Sequence, residues 1–172
     1  MMKSTIALFG AAAFVLAAPA AAAAPTDPQI AHIAYTAGAI DIAAGKQALA
    51  RSHNKTVRSF AEEMVRDHQA VNDKALALVK KLHVTPADNP TSAGLKKNAD
   101  ATLKRLSHLS GHAYDRAYID NEVAYHKTVN GALQSTLIPS ARNGELKSLL
   151  QTGLTLFRQH QAHAEQVAKE IK

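Results

Sequence analysis

Cysteine and tryptophan are absent from this 172-residue chain, and four phenylalanines and four tyrosines supply all of its aromatic bulk. Without cysteine there is no disulfide staple, no thiolate metal site, no thiol nucleophile and no lipid attached through sulfur. A glycine-rich phosphate loop, a G-x-S-x-G elbow and an H-E-x-x-H zinc-protease motif are also missing, which removes ordinary nucleotide and hydrolase chemistry from the candidates. Lysine and arginine outnumber aspartate and glutamate 20 to 14, for a net charge of +6. These bases are scattered along the chain and form no block with interleaved aromatics. Such a balance fits weak attraction to anionic envelope surfaces and argues against a nucleic-acid partner.

The first long apolar run is also the last. Lys3 precedes an apolar stretch from Ile6 through Ala18, and Pro19 leads into a run of alanines. This is the cationic, apolar and small-residue succession of a secretory signal peptide. Pro25 would block cleavage directly before it, so Ala21-Ala22-Ala23 is the better A-x-A site. An uncleaved anchor is the alternative, since Ala20 to Ala24 would extend the run to about 20 residues, enough to span a bilayer. Alanines insert weakly and Pro19 breaks a helix, so the expectation is a leader over residues 1–23 and a working domain over residues 24–172. No integral membrane segment should follow the leader. The location expected is the periplasm, free or associated with the outer membrane.

From Asp27 onward, apolar residues recur at three- and four-residue spacings and no window alternates with period two, so the chain reads as all-α. Asp27 is read as the cap of a first helix, with Pro28 at its first position and Ile30, Ile33, Ala37, Ile40 and Ala44 on one stripe. Asn54 caps a second helix with the seam Val57, Phe60, Met64, His68, Val71, Ala75, Leu78 and Leu82. A shorter helix over about 92–107 carries Leu95, Ala99, Leu103 and Leu106. The turn Ser110-Gly111 separates it from a third long helix with Ile119, Val123, His126, Val129, Leu133 and Leu137, closed by Pro139. The last runs from about Glu145 with Leu146, Leu149, Gly153, Phe157, His160, Ala164, Val167 and Ile171. The expected architecture is a four-helix bundle with an extra short helix between its second and third long helices.

His68, His126 and His160 each replace an apolar residue in the seam of a different long helix. Seam positions are about two in seven of a heptad, so some of the nine histidines would fall there by chance. Depth is less easily left to chance. His68 should lie roughly 20 Å from its neighbouring turn, and His126 and His160 roughly 18 and 26 Å from theirs. Asp41, mid-way along the first helix, would add a carboxylate at the same level. Three imidazoles and a carboxylate suit a single zinc, copper or iron ion, supported by Glu122 one turn before His126 and by Asp67 and Glu63 near His68. The bland alternative is three core histidines, each hydrogen-bonded to a carboxylate or carbonyl. His163 forms an H-x-x-H pair with His160 that would bind metal or sit on an exposed face. His32, His53, His83, His108 and His112 read as surface residues, and Tyr114 and Tyr118 as packing residues with their hydroxyls at the edge.

The stretch Val57-Arg58-Ser59-Phe60-Ala61 through Met64-Val65-Arg66-Asp67-His68 is similar to a bacterial exported family, domain of unknown function 4142. So are Leu109-Ser110-Gly111 with Tyr114-Asp115-Arg116-Ala117-Tyr118-Ile119, then His126 and His160. The resemblance spans roughly Gln29 to Val167. It implies a ferritin-like four-helix fold and an envelope location, and the family has no settled activity. Where the family usually carries glutamate, this chain has Asp41, one methylene shorter. Ferritin chemistry does not carry over: a di-iron site needs Glu-x-x-His pairs, and the residues three before His68, His126 and His160 are Val65, Val123 and Phe157.

Two readings follow: a non-enzymatic envelope protein holding a metal ion, and a metal-free structural or interaction module with an envelope partner. A redox enzyme is a distant third. The leader can be tested at once. N-terminal sequencing of the exported protein should begin at Ala24; a chain that keeps Met1 through Ala23 would show an uncleaved anchor.

Overall fold

The computed structural model describes residues 23–171, so the expected leader lies outside the described residues except for Ala23. Four long helices and one shorter helix account for the fold, and no strand occurs among the described residues. They are α1 (Asp27–Arg51), α2 (Lys55–Lys81), the shorter α3 (Pro90–Ser107), α4 (Gly111–Ala132) and α5 (Gly144–Glu170). A π-helical turn, Leu133–Leu137, and a last turn, Ile138–Ser140, prolong α4. No described helix is long and apolar enough to cross a membrane.

Local chemistry explains the helix ends. Asn54 Oδ1 accepts from the backbone N–H groups of Thr56 and Val57, and Asn143 Oδ1 does the same for Glu145 and Leu146. Both relieve donors that a helix start leaves unpaired. The expected cap at Asp27 needs correcting. Thr26 is the N-cap, and the side chain of Gln29 accepts from its backbone N–H. Asp27 is thereby free to act at longer range, and its carboxylate accepts from the backbone N–H groups of Arg142 and Asn143 at 2.8 Å each. One acid thus pins the start of α1 to the loop that opens α5.

Pro139 ends the fourth helix less abruptly than expected. A proline inside a helix lacks the N–H and crowds the carbonyl four residues back. The preceding turn widens to the π pattern, with Ile138 N–H donating to Leu133 O, so the helix runs on to Ser140. Widened turns of this kind are a known way to absorb such a defect.

The buried residues of the long helices form two apolar clusters with a polar layer between them. One cluster holds Ala44, Ala48, Val57, Phe60, Met64, Tyr114, Tyr118, Ala164 and Val167. The other holds Ile30, Ile33, Leu133, Leu146, Leu150 and Phe157. Along every long helix the layer falls between these sets: Asp41 on α1, His68 on α2, Glu122 and His126 on α4, His160 on α5. The short α3 rests on α1, held by Gln47 Nε2 donating to Leu103 O, and Arg51 Nη1 donates to Leu109 O in the loop that follows it. Tyr114 and Tyr118 pack as expected, but their hydroxyls are not at an edge, since both side chains are fully buried.

Helices α1 and α2 approach closely because α1 has glycine where they cross. A Cβ on Gly45 would lie 2.8 Å from Val65 Cγ2 and 3.1 Å from the Ala61 carbonyl oxygen. Gly45→Ala is therefore expected to destabilise the protein by about 1–3 kcal/mol through overpacking. Gly94→Ala in α3, where nothing lies within 4 Å of the new Cβ, should instead stabilise by about 0.5–1 kcal/mol. Urea unfolding of the two variants tests both signs; equal effects would refute the close-packing account.

Candidate metal centre

The three seam histidines do meet. Ring centroids are 5.7 Å apart for His68 and His126, 5.2 Å for His68 and His160, and 5.5 Å for His126 and His160. One nitrogen from each lies within 4.8 Å of the others, and Asp41, Glu122 and His126 form a second such trio. All five side chains are buried, the most exposed being His68 at 3%. The shorter acid at position 41 reaches the group: its Oδ2 is 3.1 Å from His68 Nε2 and 3.4 Å from His126 Nε2.

Hydrogen bonding decides which nitrogens are free. His126 Nδ1–H donates to the Glu122 carbonyl oxygen at 3.0 Å. A carbonyl only accepts, so in the neutral ring Nε2 carries a lone pair. Burial holds His126 below its ordinary value and so keeps it neutral, against the opposing pull of Asp41. On His160, Nε2 lies 3.1 Å from Asp67 Oδ2. Burial works against the Asp67 carboxylate, but its hydrogen bonds to Arg66 and His160 outweigh this and hold its pKa low. His160 therefore donates through Nε2, and its Nδ1 is left buried and unpartnered. His68 is stacked flat on Phe157 at 4.6 Å, neither of its nitrogens is hydrogen-bonded, and burial pushes it down to about 3.

The carboxyls respond in the opposite sense. Burial raises Glu122 well above the usual range, and neighbouring Asp41 adds to the rise. Burial likewise raises Asp41, although His126 and Glu122 oppose it. The two acids form a pair that favours holding a proton between them. That proton satisfies few of the atoms at stake. Of the ten buried side-chain polar atoms without a hydrogen-bond partner among the described residues, seven belong here: both oxygens of Asp41, both nitrogens of His68, Glu122 Oε2, His126 Nε2 and His160 Nδ1. Each such atom costs about 1–3 kcal/mol when left unpaired.

A cation would answer that cost. In a tetrahedral site with bonds of 2.0–2.2 Å, neighbouring ligand atoms lie about 3.3 Å apart. Asp41 Oδ2 stands at 3.1 and 3.4 Å from two imidazole nitrogens without hydrogen-bond alignment. The donor set of Asp41, His68, His126 and His160 thus fits a borderline divalent ion in type, with the three imidazoles forming one close trio and Asp41 within reach of His68 and His126. His126 and His160 also carry the far-nitrogen partners that ligating histidines usually have.

Of the supporting residues, Glu122 lies one turn before His126, with its carboxyl facing Asp41 while its carbonyl orients His126. Asp67 and Glu63 serve α5 and not their own helix: Asp67 pairs with His160, and Glu63 Oε2 lies 2.7 Å from His163 Nδ1. His163 is thereby part of an outer, half-exposed pair and not of the interior. Of the five histidines read as surface residues, four are exposed and His32 is half-buried, with Nδ1 3.0 Å from Ser92 Oγ, which ties α3 to α1. Asn72 and Asn130 escaped the sequence reading. Asn72 Nδ2 donates to Tyr35 O and Asn130 Nδ2 to Phe157 O and Gln161 Oε1; a regular seam only a few residues away masked them.

Comparison with known proteins bears on the fold and the family. The model of Domain of unknown function (DUF4142) matches residues 13–167. No protein of curated function matches the chain. Two crystal structures share the fold. A putative secreted DUF305 protein of Streptomyces coelicolor superposes with a TM-score of 0.70 at 11% identity, covering 83% of this chain and 91% of that one. A DUF305 fragment of Deinococcus radiodurans gives 0.71 at 16% identity, covering 86% and 99%. At such identities the likeness is one of fold.

The burial of His68 has a measurable cost in acid. Its folded pKa of about 3 lies below the unfolded value of 6.5, so between these the unfolded chain binds a proton that the folded one refuses. Stability falls as pH drops through that window. Metal-free protein should lose about 2 kcal/mol from this residue between pH 7 and pH 5, and His68→Leu should lose correspondingly less. Urea melts at the two pH values measure the difference, and parallel losses would contradict the buried, neutral imidazole.

Proposed function

The chain belongs to the DUF4142 family, whose description assigns no activity, and on that footing we propose that it is an exported helical-bundle protein holding one transition-metal ion. The ion would be zinc, copper or iron, bound by Asp41, His68, His126 and His160, with Glu122 and Asp67 orienting the donors. Export to the periplasm rests on the leader, and residues 24–172 form the binding domain. The role is metal handling or envelope stress tolerance and not catalysis.

One observation carries this reading: Asp41 Oδ2 lies at ligand spacing from two imidazole nitrogens, buried and with no hydrogen bond among the three atoms. Three core histidines serving only as structure would each find a partner, as buried polar groups do. His68 does not. The cysteine-free sequence agrees, since without thiolate its borderline and anionic donors are histidine and carboxylate. A second reading, a metal-free module contacting an envelope partner, draws on the Asp41–Glu122 pair, whose raised pKa values allow a proton to take part of the cation's place.

Elemental analysis of untagged protein from its own periplasm separates the two. About one zinc, copper or iron equivalent per chain is expected. His68→Ala, His126→Ala, His160→Ala and Asp41→Ala should each weaken uptake by more than the roughly tenfold expected for Asp67→Asn, which perturbs only the support of His160. No uptake at micromolar metal would remove the metal reading. Variants that shift stability and leave metal content unchanged would favour the structural module.

A further inference from the structure

Beyond the polar layer, at the end where α1 and α5 begin, the bundle is hollow. A cavity of about 660 Å³ lies between the helices, lined by residues of α1, α2, α3, α4 and α5 and by Ala24 and Asn89 outside them; Ala24 and Thr91 of this lining are exposed and Asn89 is half-buried. Packed interiors leave few voids larger than a water molecule, and this volume is that of a ligand pocket. Its floor is Phe157, the same ring that stacks on His68.

Two properties select the occupant. The first is charge. Among the described residues, no aspartate, glutamate, lysine, arginine or histidine lines the cavity; its walls are mostly aliphatic, and its few polar groups are neutral amides and hydroxyls such as Asn89, Thr91 and Thr136. In a chain with 34 fully charged side chains, 20 basic and 14 acidic, that absence selects an uncharged guest. The second is shape. The lining runs from Leu146 to Phe157 along α5, about 16 Å at the helical rise, and from Gln29 to Ala37 along α1, about 12 Å. Half the hydrocarbon thickness of a bilayer is about 15 Å, the reach of one lipid chain.

We infer that the cavity binds the alkyl chain of a single-chain lipid, with the tail against Phe157 and the headgroup outside the rim at Ala24, Asn89 and Thr91. The site is separate from the metal donors and does not depend on their being loaded.

The test uses purified protein in chelator-containing buffer, so that its outcome is distinct from that of metal uptake. Cis-parinaric acid, a fluorescent fatty acid, should bind with micromolar affinity. Palmitic acid and lysophosphatidylcholine should both displace it, since recognition lies in the shared tail, whereas butyric acid should not. Ala75→Phe on the α2 wall and Ala34→Leu on the α1 wall fill the cavity and should weaken probe binding at least about tenfold with circular dichroism unchanged. Should Ala75→Phe fail to fold, Ala34→Leu, which adds less volume, gives the same readout. Absence of probe binding to wild type at about 100 μM, displacement by butyric acid, or undiminished binding by the folded filled variants would each overturn the inference.

Discussion

Everything in this bundle is arranged around one buried carboxylate, Asp41, set beside the three seam imidazoles and only 1% exposed. An isolated charge in such surroundings would be prohibitive, so the layer must be neutralised by a proton, a cation or both. That requirement shapes its neighbours. Glu122 faces Asp41 as a partner acid, His126 turns its lone pair inward because its other nitrogen is committed to the Glu122 carbonyl, and His160 does the same through Asp67. The apolar core is split into two clusters to make room for this layer.

Holding the layer in place is chiefly a matter of backbone distance. Glycines at 38 and 45 let α1 lie close to α2 on either side of Asp41: a Cβ at Gly38 would fall 2.3 Å from Asn72 Oδ1, and one at Gly45 would meet Val65. The neutral state of His68 and His126 follows from burial, so these donors are ready for a cation at pH values where exposed histidines are partly protonated.

The two ends of the bundle are built differently. Toward the Tyr114 and Tyr118 end, large buried side chains occupy the interior, and the two rings lie nearly parallel with centroids 6.2 Å apart. Toward the Leu133 and Leu146 end, alanines and a glycine face one another and a cavity remains. The π turn forced by Pro139 lies at this end, so the widened helix and the hollow interior share one region. Phe157 separates hollow from polar layer, touching His68 on one side and the cavity on the other.

Much of this was already legible in the chain. Helical periodicity set the all-α class, the number and order of the helices, and the seam positions of His68, His126 and His160, because a 3.6-residue repeat determines which residues share a face. Asn54 marked a helix start through its capping chemistry, which acts within a few residues. Asp27 misled, since its carboxylate is used by a loop 115 residues away, and no local rule reports that. Only the tertiary structure decided that Glu122 joins Asp41, that Asp67 serves His160 and not its neighbour His68, and that one end of the core is empty. These outcomes depend on how far apart the helices sit and how they are rotated about their axes. Both are properties of packing between distant segments, and no single helix contains them.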